Sequence, residues 1–181
     1  DSDVLKSVEN DAEVNPSPET LKIIQDKLLQ KQFLSDNNIP VPEFIEINNM
    51  NDLKIGLEQF GFPALLKARR DAYDGKGNYK IDSENHVQKA FDYFKGNPSL
   101  LEKFIPFEME VSVIAARNTS GQIKSYPLVE NIHEKNILRQ TIAPARVSKQ
   151  IIDEAEKIAE KTLLVLKGAG IFGIEMFVTN E

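Results

Sequence analysis

Punctuation restricts this fold more than any other feature. From Asn37-Asn38 and Pro40 onward, glycine, proline and asparagine cut the chain into short apolar units. Runs of this length bounded by turn residues read as strands when they alternate and as short helices when they repeat every three to four residues. Phe44–Ile47 reads as a strand, and 51–60 as a helix stopped by Gly61. Residues 63–67 form a second strand, followed by a glycine-rich loop and a short strand over Tyr79–Ile81. Ser83 is placed to cap a helix running to Lys95, closed by Gly96-Asn97-Pro98, and Leu100–Ile105 is a further strand. The order β-α-β-loop-β-α-β predicts a compact α/β subdomain over residues 41–105.

The flanks differ. Residues 1–16 are acidic and weakly periodic, the end of a preceding domain or a loose lead-in. Ser17 and Pro18 suit a helix start, and Leu21, Ile24, Leu28 and Phe33-Leu34 predict a single helix from Glu19 to about Asp36, linking over residues 17–40. Past residue 106 the chain is rich in strands: 108–117, a turn at 118–121, then 123–132 and 137–143. A long amphipathic helix over 148–167 ends at Gly168 and Gly170, and Ile171–Val178 is a mostly apolar strand. Gly168-Ala-Gly170-Ile-Phe-Gly173 has the spacing of a dinucleotide fingerprint, but that motif needs a strand before it and a helix after it. Here the order is reversed, so these glycines read as a helix stop.

The chemistry is densest at Lys67-Ala-Arg-Arg-Asp-Ala72-Tyr73-Asp74-Gly75-Lys76-Gly77-Asn78. Glycines let the backbone approach a ligand, successive N–H groups can cradle an anion, and Lys67 and Lys76 can neutralise phosphate oxygens. Asp-Gly is equally a preferred two-residue hairpin turn, so a phosphate loop and a plain hairpin both stand. A Walker A loop is excluded, because no glycine stands four residues earlier and no Ser or Thr follows the lysine.

Composition narrows the classes. The 181 residues carry a formal net charge of -6, with 41% hydrophobic and 28% charged residues, as in globular proteins. That charge argues against a dominant nucleic-acid surface, and the apolar runs fall short of a membrane span. The absence of cysteine removes disulfides and thiolate metal sites and fits a cytoplasmic setting. With only His86 and His133, a histidine-rich zinc site is disfavoured, whereas Mg²⁺ needs only carboxylates.

Four further sites carry alternatives. Glu102-Lys103-Phe104-Ile105 reads as an edge strand with solvated charges, or as a crossing whose backbone meets an adenine ring. Glu110 reads as surface charge, or as a carboxylate for ribose hydroxyls. His133 is structural or solvated, or a neutral imidazole positioning bicarbonate or phosphate. Glu175 sits in Ile171-Phe-Gly-Ile-Glu175-Met-Phe-Val178, a strand apolar on both faces. A charge there is costly unless paired or bound to a cation, which makes it a candidate Mg²⁺ ligand.

Taken in order, Pro16-Ser-Pro-Glu-Thr-Leu, Ile24-Gln-Asp-Lys27, Lys67 with Tyr73-Asp-Gly-Lys-Gly77, Glu102-Lys-Phe-Ile-Pro-Phe, Glu110-Val-Ser-Val, Tyr126-Pro-Leu-Val-Glu-Asn131, His133, Ile142-Ala-Pro-Ala145 and Gly173-Ile-Glu-Met-Phe-Val resemble the N5-carboxyaminoimidazole ribonucleotide synthetases. These are ATP-grasp ligases of purine biosynthesis, also called the ATPase subunit of phosphoribosylaminoimidazole carboxylase. The resemblance implies an α+β ATP-grasp fold: a small α/β lid subdomain at 41–105 and part of a larger antiparallel-sheet subdomain at 106–181, truncated at both ends. It implies an ADP-forming reaction in which ATP, bicarbonate and 5-aminoimidazole ribonucleotide yield the N5-carboxylated ribonucleotide through carboxyphosphate. It further implies ATP and Mg²⁺ as cofactors, a homodimer in the full-length form and no nucleic-acid or membrane partner.

By the same resemblance Lys27 and Lys67 would touch ATP phosphates, and Ala72, Tyr73, Asp74, Gly75, Lys76, Gly77 and Asn78 would fold over them. Tyr73 and Asp74 would also face the aminoimidazole substrate. Glu102, Lys103, Phe104 and Ile105 would hold adenine, Glu110 ribose, His133 phosphate or bicarbonate, and Glu175 the Mg²⁺. Lys67, Tyr73, Asp74 and His133 are the catalytic candidates. Ala72 replaces the glycine usual before Tyr-Asp-Gly. A second metal ligand and a basic substrate-binding segment would follow Glu181, so a chain ending there is expected to be inactive. Another ATP-grasp ligase, a non-catalytic nucleotide-binding module and a plain structural α/β domain are the competing readings.

Overall fold

A computed structural model describes residues 2–70, 77–134 and 136–180. In chain order the elements are α1 (Ser2–Val8), α2 (Pro18–Gln25), α3 (Lys27–Asp36), β1 (Phe44–Ile47), α4 (Met50–Phe60), β2 (Ala64–Ala68), β3 (Asn78–Ile81), α5 (Glu84–Tyr93), β4 (Ser99–Lys103), β5 (Met109–Arg117), β6 (Ile123–Ser125), β7 (Val129–Glu134), β8 (Ile137–Ile142), α6 (Lys149–Val165) and β9 (Gly170–Val178). They form two compact units. One is contiguous, Gln25–Ile105; the other joins Asp1–Ile24 to Pro106–Glu181.

The contiguous unit is a four-stranded antiparallel sheet in the order β1-β4-β2-β3. Helices α4 and α5 cover one face, where Ile47, Leu53, Leu57, Leu66, Ile81, Val87, Phe94 and Leu101 form the core. Asn49 caps α4 by accepting hydrogen bonds from Asn51 N and Asp52 N, satisfying N–H groups that the helix itself leaves open. Gly56 lets α4 sit close to the sheet, since a Cβ there would lie 2.8 Å from Leu101 Cδ2. Successive residues on a strand face opposite ways, so Glu102 turns its side chain toward α3 on the other face. Being second in the strand order, β4 is an inner strand. The expectation of a solvated edge at Glu102 fails for that reason, since its two neighbours and α3 leave Glu102 only 2% exposed.

The second unit is built on a five-stranded antiparallel sheet, β6-β5-β7-β8, with β9 paired to β5. Its inner face, led by Val111, Val113 and Ala115, packs against Ala155, Ala159 and Leu163 of α6. Two further expectations change. The single helix over 19–36 is two helices, because Asp26 is extended and its carboxylate caps α3, accepting from Leu28 N and Leu29 N. The single strand over 123–132 is β6 and β7, interrupted at Tyr126-Pro127-Leu128, where proline cannot donate to a ladder. Residues 2–8, read as weakly periodic, form α1.

Candidate nucleotide-binding site

The contiguous unit gathers lysines around one buried carboxylate. Lys27 and Lys31 stand one turn apart on α3, Lys67 is on β2 and Glu102 on β4. Glu102 Oε2 lies 2.7 Å from Lys67 Nζ, and Oε1 lies 3.1 Å from Lys31 Nζ, although without a well-directed hydrogen bond at Oε1. Two of the three ammonium groups pair with the one carboxylate and the third feels its charge, so the cluster carries surplus positive charge in a part-buried place. Lys27 makes no ion pair within 4.0 Å among the described residues. Burial lowers its pKa, the nearby Lys67 lowers it further, and Glu102 partly restores it. Burial likewise lowers the Lys31 pKa against the pull of Glu102. Such a cluster suits a polyanion.

A second network fixes where these lysines stand. Asp26, 3% exposed, accepts from Arg69 Nε at 3.0 Å, from Arg69 Nη2 at 2.7 Å and from Arg70 Nε at 3.3 Å. Arg69 reaches Glu46 with its other nitrogen at 2.7 Å, and Lys27 N donates to Arg69 O at 2.9 Å. The start of α3 is thereby tied to the end of β2, which sets Lys27 beside Lys67. Sequence reading missed Asp26, Lys31 and Arg69. The periodicity runs through Asp26 and gave no signal of them, and the 43-residue separation of Asp26 from Arg69 hid the pairing.

The glycine-rich segment connects β2 to β3, which pair with Lys67 opposite Asn78. Residues 69–77 lie between the two strands, and the Asp74-Gly75 turn falls outside the described residues. Gly77 is buried and its carbonyl accepts from Ala68 N at 2.9 Å, while Asn78 is exposed. Ala72, Tyr73, Asp74, Gly75 and Lys76 lie outside the described residues. Lys103 ends β4 opposite Ala64, and Phe104 and Ile105 follow beyond the strand's pairing, with Lys80 Nζ 4.8 Å from the Phe104 ring centre.

In the second unit, the sheet face turned away from α6 is polar at its middle. Glu110 and His133 meet there, Nδ1 to Oε2 at 2.9 Å, off the hydrogen-bond direction at Nδ1. Thr141 Oγ1 donates to Asn131 Oδ1 at 3.1 Å, and Asn131 Nδ2 donates to Ser112 Oγ at 2.8 Å. Ser112 stands opposite Glu175 in the β5–β9 register. The Glu175 side chain corrects an expectation: it is exposed, not enclosed between apolar faces. Of β9, only the face toward α6 is covered, and Ile171, Gly173, Glu175 and Phe177 share the open one. Burial therefore gives no argument for a bound cation. The donor chemistry still suits one, since Mg²⁺ takes one or two carboxylates together with phosphates and water. Among the described residues no three acidic, histidine or cysteine side chains converge as a ready-made metal cage.

The run Tyr126–Asn131 with Ile142–Ala145 also acquires a physical reason. Arg146 donates to both oxygens of the buried Glu130, at 2.8 and 2.6 Å, and Ala145 N donates to Leu128 O at 2.8 Å. The Arg146 hydrogen bond lowers the Glu130 pKa. β7 and the segment after β8 are thus held together, with Asn131 fixed between Thr141 and Ser112.

An antiparallel α+β unit with a glycine-rich connection beside clustered lysines, and a second sheet bearing carboxylates, defines the class. The chain belongs to the ATP-grasp family, whose domain matches residues 32–181. The phosphoribosylaminoimidazole carboxylase of Schizosaccharomyces pombe is 37% identical over 180 residues, 99% of this chain and 33% of that protein. Among solved structures, the carboxyaminoimidazole ribonucleotide synthase of Aspergillus clavatus complexed with ATP matches with a TM-score of 0.95 and 35% identity, over 99% of this chain and 48% of that one. The same organism's N5-carboxyaminoimidazole synthase in complex with ADP and 5-aminoimidazole ribonucleotide matches with a TM-score of 0.92 and 33% identity, over 99% of this chain and 47% of that one. The chain thus spans about a third of the curated relative and about half of the solved ones.

Proposed function

We propose that this chain is the nucleotide-binding part of an ADP-forming ligase that carboxylates 5-aminoimidazole ribonucleotide with bicarbonate. The lysine cluster around Glu102 carries the ATP half of this reading. The substrate half is supported by the similarity to the synthases above, which extends over nearly the whole chain.

On this reading Lys27 and Lys67 neutralise the nucleotide phosphates, with residues 72–78 folding over them. The backbone at 102–105 meets the adenine amino edge. Glu110 takes the ribose hydroxyls, and Glu175 supplies a carboxylate to Mg²⁺, which would withdraw charge from the transferring phosphoryl group. A bicarbonate oxygen attacks the γ-phosphorus as the bond to ADP breaks, giving carboxyphosphate. Loss of phosphate frees carbon dioxide for the substrate amine, which gives up a proton on forming the N–C bond. With little covalent work for the protein, positioning and charge neutralisation supply the catalysis. His133, held by Glu110, would orient bicarbonate or phosphate. The whole protein is read as a cytoplasmic enzyme. No helix among the described residues is long and apolar enough to cross a membrane.

The test is ADP release by the full polypeptide, with and without the ribonucleotide and bicarbonate. Release should need both, and should fall at least about a hundredfold in Lys67→Ala or Glu175→Ala, the scale of losing one electrostatic contact in the transition state. Turnover indifferent to the ribonucleotide would move the function to another ATP-grasp ligase, and ATP binding without turnover would leave a binding module.

A further inference from the structure

Lys67 is not idle in this structure. Its ammonium rests 2.7 Å from Glu102 Oε2, although the reading above needs it on a phosphate. Glu102 has a side chain only 3% exposed, so withdrawing its partner would strand a buried charge, which is strongly unfavourable. A second cation already stands at the other carboxylate oxygen. Lys31, 14% exposed, lies 3.1 Å from Oε1. We propose that Lys31 is a positioning residue of the phosphate site: as the standing counterion of Glu102, it lets Lys67 leave that carboxylate for a nucleotide phosphate. This rests on the ATP reading of the cluster.

Three features support the assignment. Lys31 follows Lys27 by one helical turn, so both are placed by the helix start that Asp26 caps. Lys31 is the more enclosed of the two pairing lysines and belongs to a helix, while Lys67 lies on the strand that leads into the glycine-rich connection. Finally, Lys27 and Lys67 repel one another in the free site, which favours Lys67 staying with Glu102 until an anion arrives. Lys31 thus acts through Glu102 and not on the nucleotide.

A double-mutant cycle in the full polypeptide separates these roles. Calorimetry would give dissociation constants for a non-hydrolysable ATP analogue with Mg²⁺ and for adenosine. Lys31→Met should weaken the analogue about tenfold, the worth of one charge-assisted hydrogen bond, and leave adenosine unchanged. In a Glu102→Gln background, where nothing holds Lys67, the same substitution should change analogue binding less than about twofold. Lys31→Arg should restore wild-type affinity. An equal loss in both backgrounds would overturn the proposal by showing that Lys31 acts on phosphate directly. A parallel loss for adenosine would overturn it by showing a merely structural role. Should Lys31→Met fold poorly by circular dichroism, Lys31→Gln replaces it in the same cycle. A wild-type protein with no preference for the analogue over adenosine would instead refute the underlying ATP reading.

Discussion

At the scale of single residues, Asp26 does more than its helix-cap position suggests. It caps α3, pairs with two arginines and fixes the main chain of Lys27 against β2. Asp26→Ala should cost about 3 kcal/mol in urea unfolding, combining a lost cap with unpaired arginine charge. Burial raises the Asp26 pKa, but hydrogen bonds from Arg69, Leu29 N and Arg70, with the charge of Arg69, outweigh it and hold the carboxyl below its ordinary 3.8. A depressed folded-state pKa means that stability is full above the unfolded value and lost as pH falls through the folded one. The Asp26→Ala deficit should therefore be constant from neutral pH down to about pH 5 and shrink below pH 4 in acid titrations. At this scale the string offers candidates by chemical type, Lys67 for phosphate and Glu110 for ribose. Environment was not. Glu102 looked solvated because nothing local says that β4 lies between two strands, and Glu175 looked enclosed because an apolar strand does not announce that one face stays open.

Elements were easier to read than their junctions. The helix over 149–165 and the strand over 170–178 appear almost where the sequence puts them, because the helix has an apolar stripe with Gly168 just beyond its end and the strand is a mostly apolar run opening on Gly170. Breaks were harder to see: the periodicity of 19–36 runs through Asp26 undisturbed, and only the capping geometry reveals two helices. The end of α6 shows what such a junction needs. Gly168 adopts φ +81, and a Cβ there would lie 2.6 Å from Ser17 N. Thr20 Oγ1 donates to Lys167 O at 2.8 Å and accepts from Lys167 N at 2.9 Å. Gly168→Ala should lose about 2–3 kcal/mol in chemical denaturation, through left-handed strain and a backbone clash. A loss under about 0.5 kcal/mol would show that this junction relaxes freely.

At the scale of the molecule, each unit has a sheet of its own, and the core around Leu53 lies wholly within Gln25–Ile105. Leu53 is 0% exposed, so Leu53→Ala should cost about 2–5 kcal/mol. Hydrogen exchange should show that loss in β1, β2 and β4 and leave the β5–β9 ladder protected; equal loss in both would mean the units unfold as one. The connectivity has a consequence for synthesis on the ribosome. The contiguous unit can complete itself as soon as residue 105 has emerged, because every strand of its sheet is then available. The other unit has to wait. Its first helices are joined to the end of α6 by contacts such as Thr20–Lys167, 147 residues apart, and β5 acquires β9 only once residues 170–178 have followed. Vectorial folding therefore orders the two, the lysine-bearing unit first, while residues 2–24 stay without their sheet until the chain comes back to meet them.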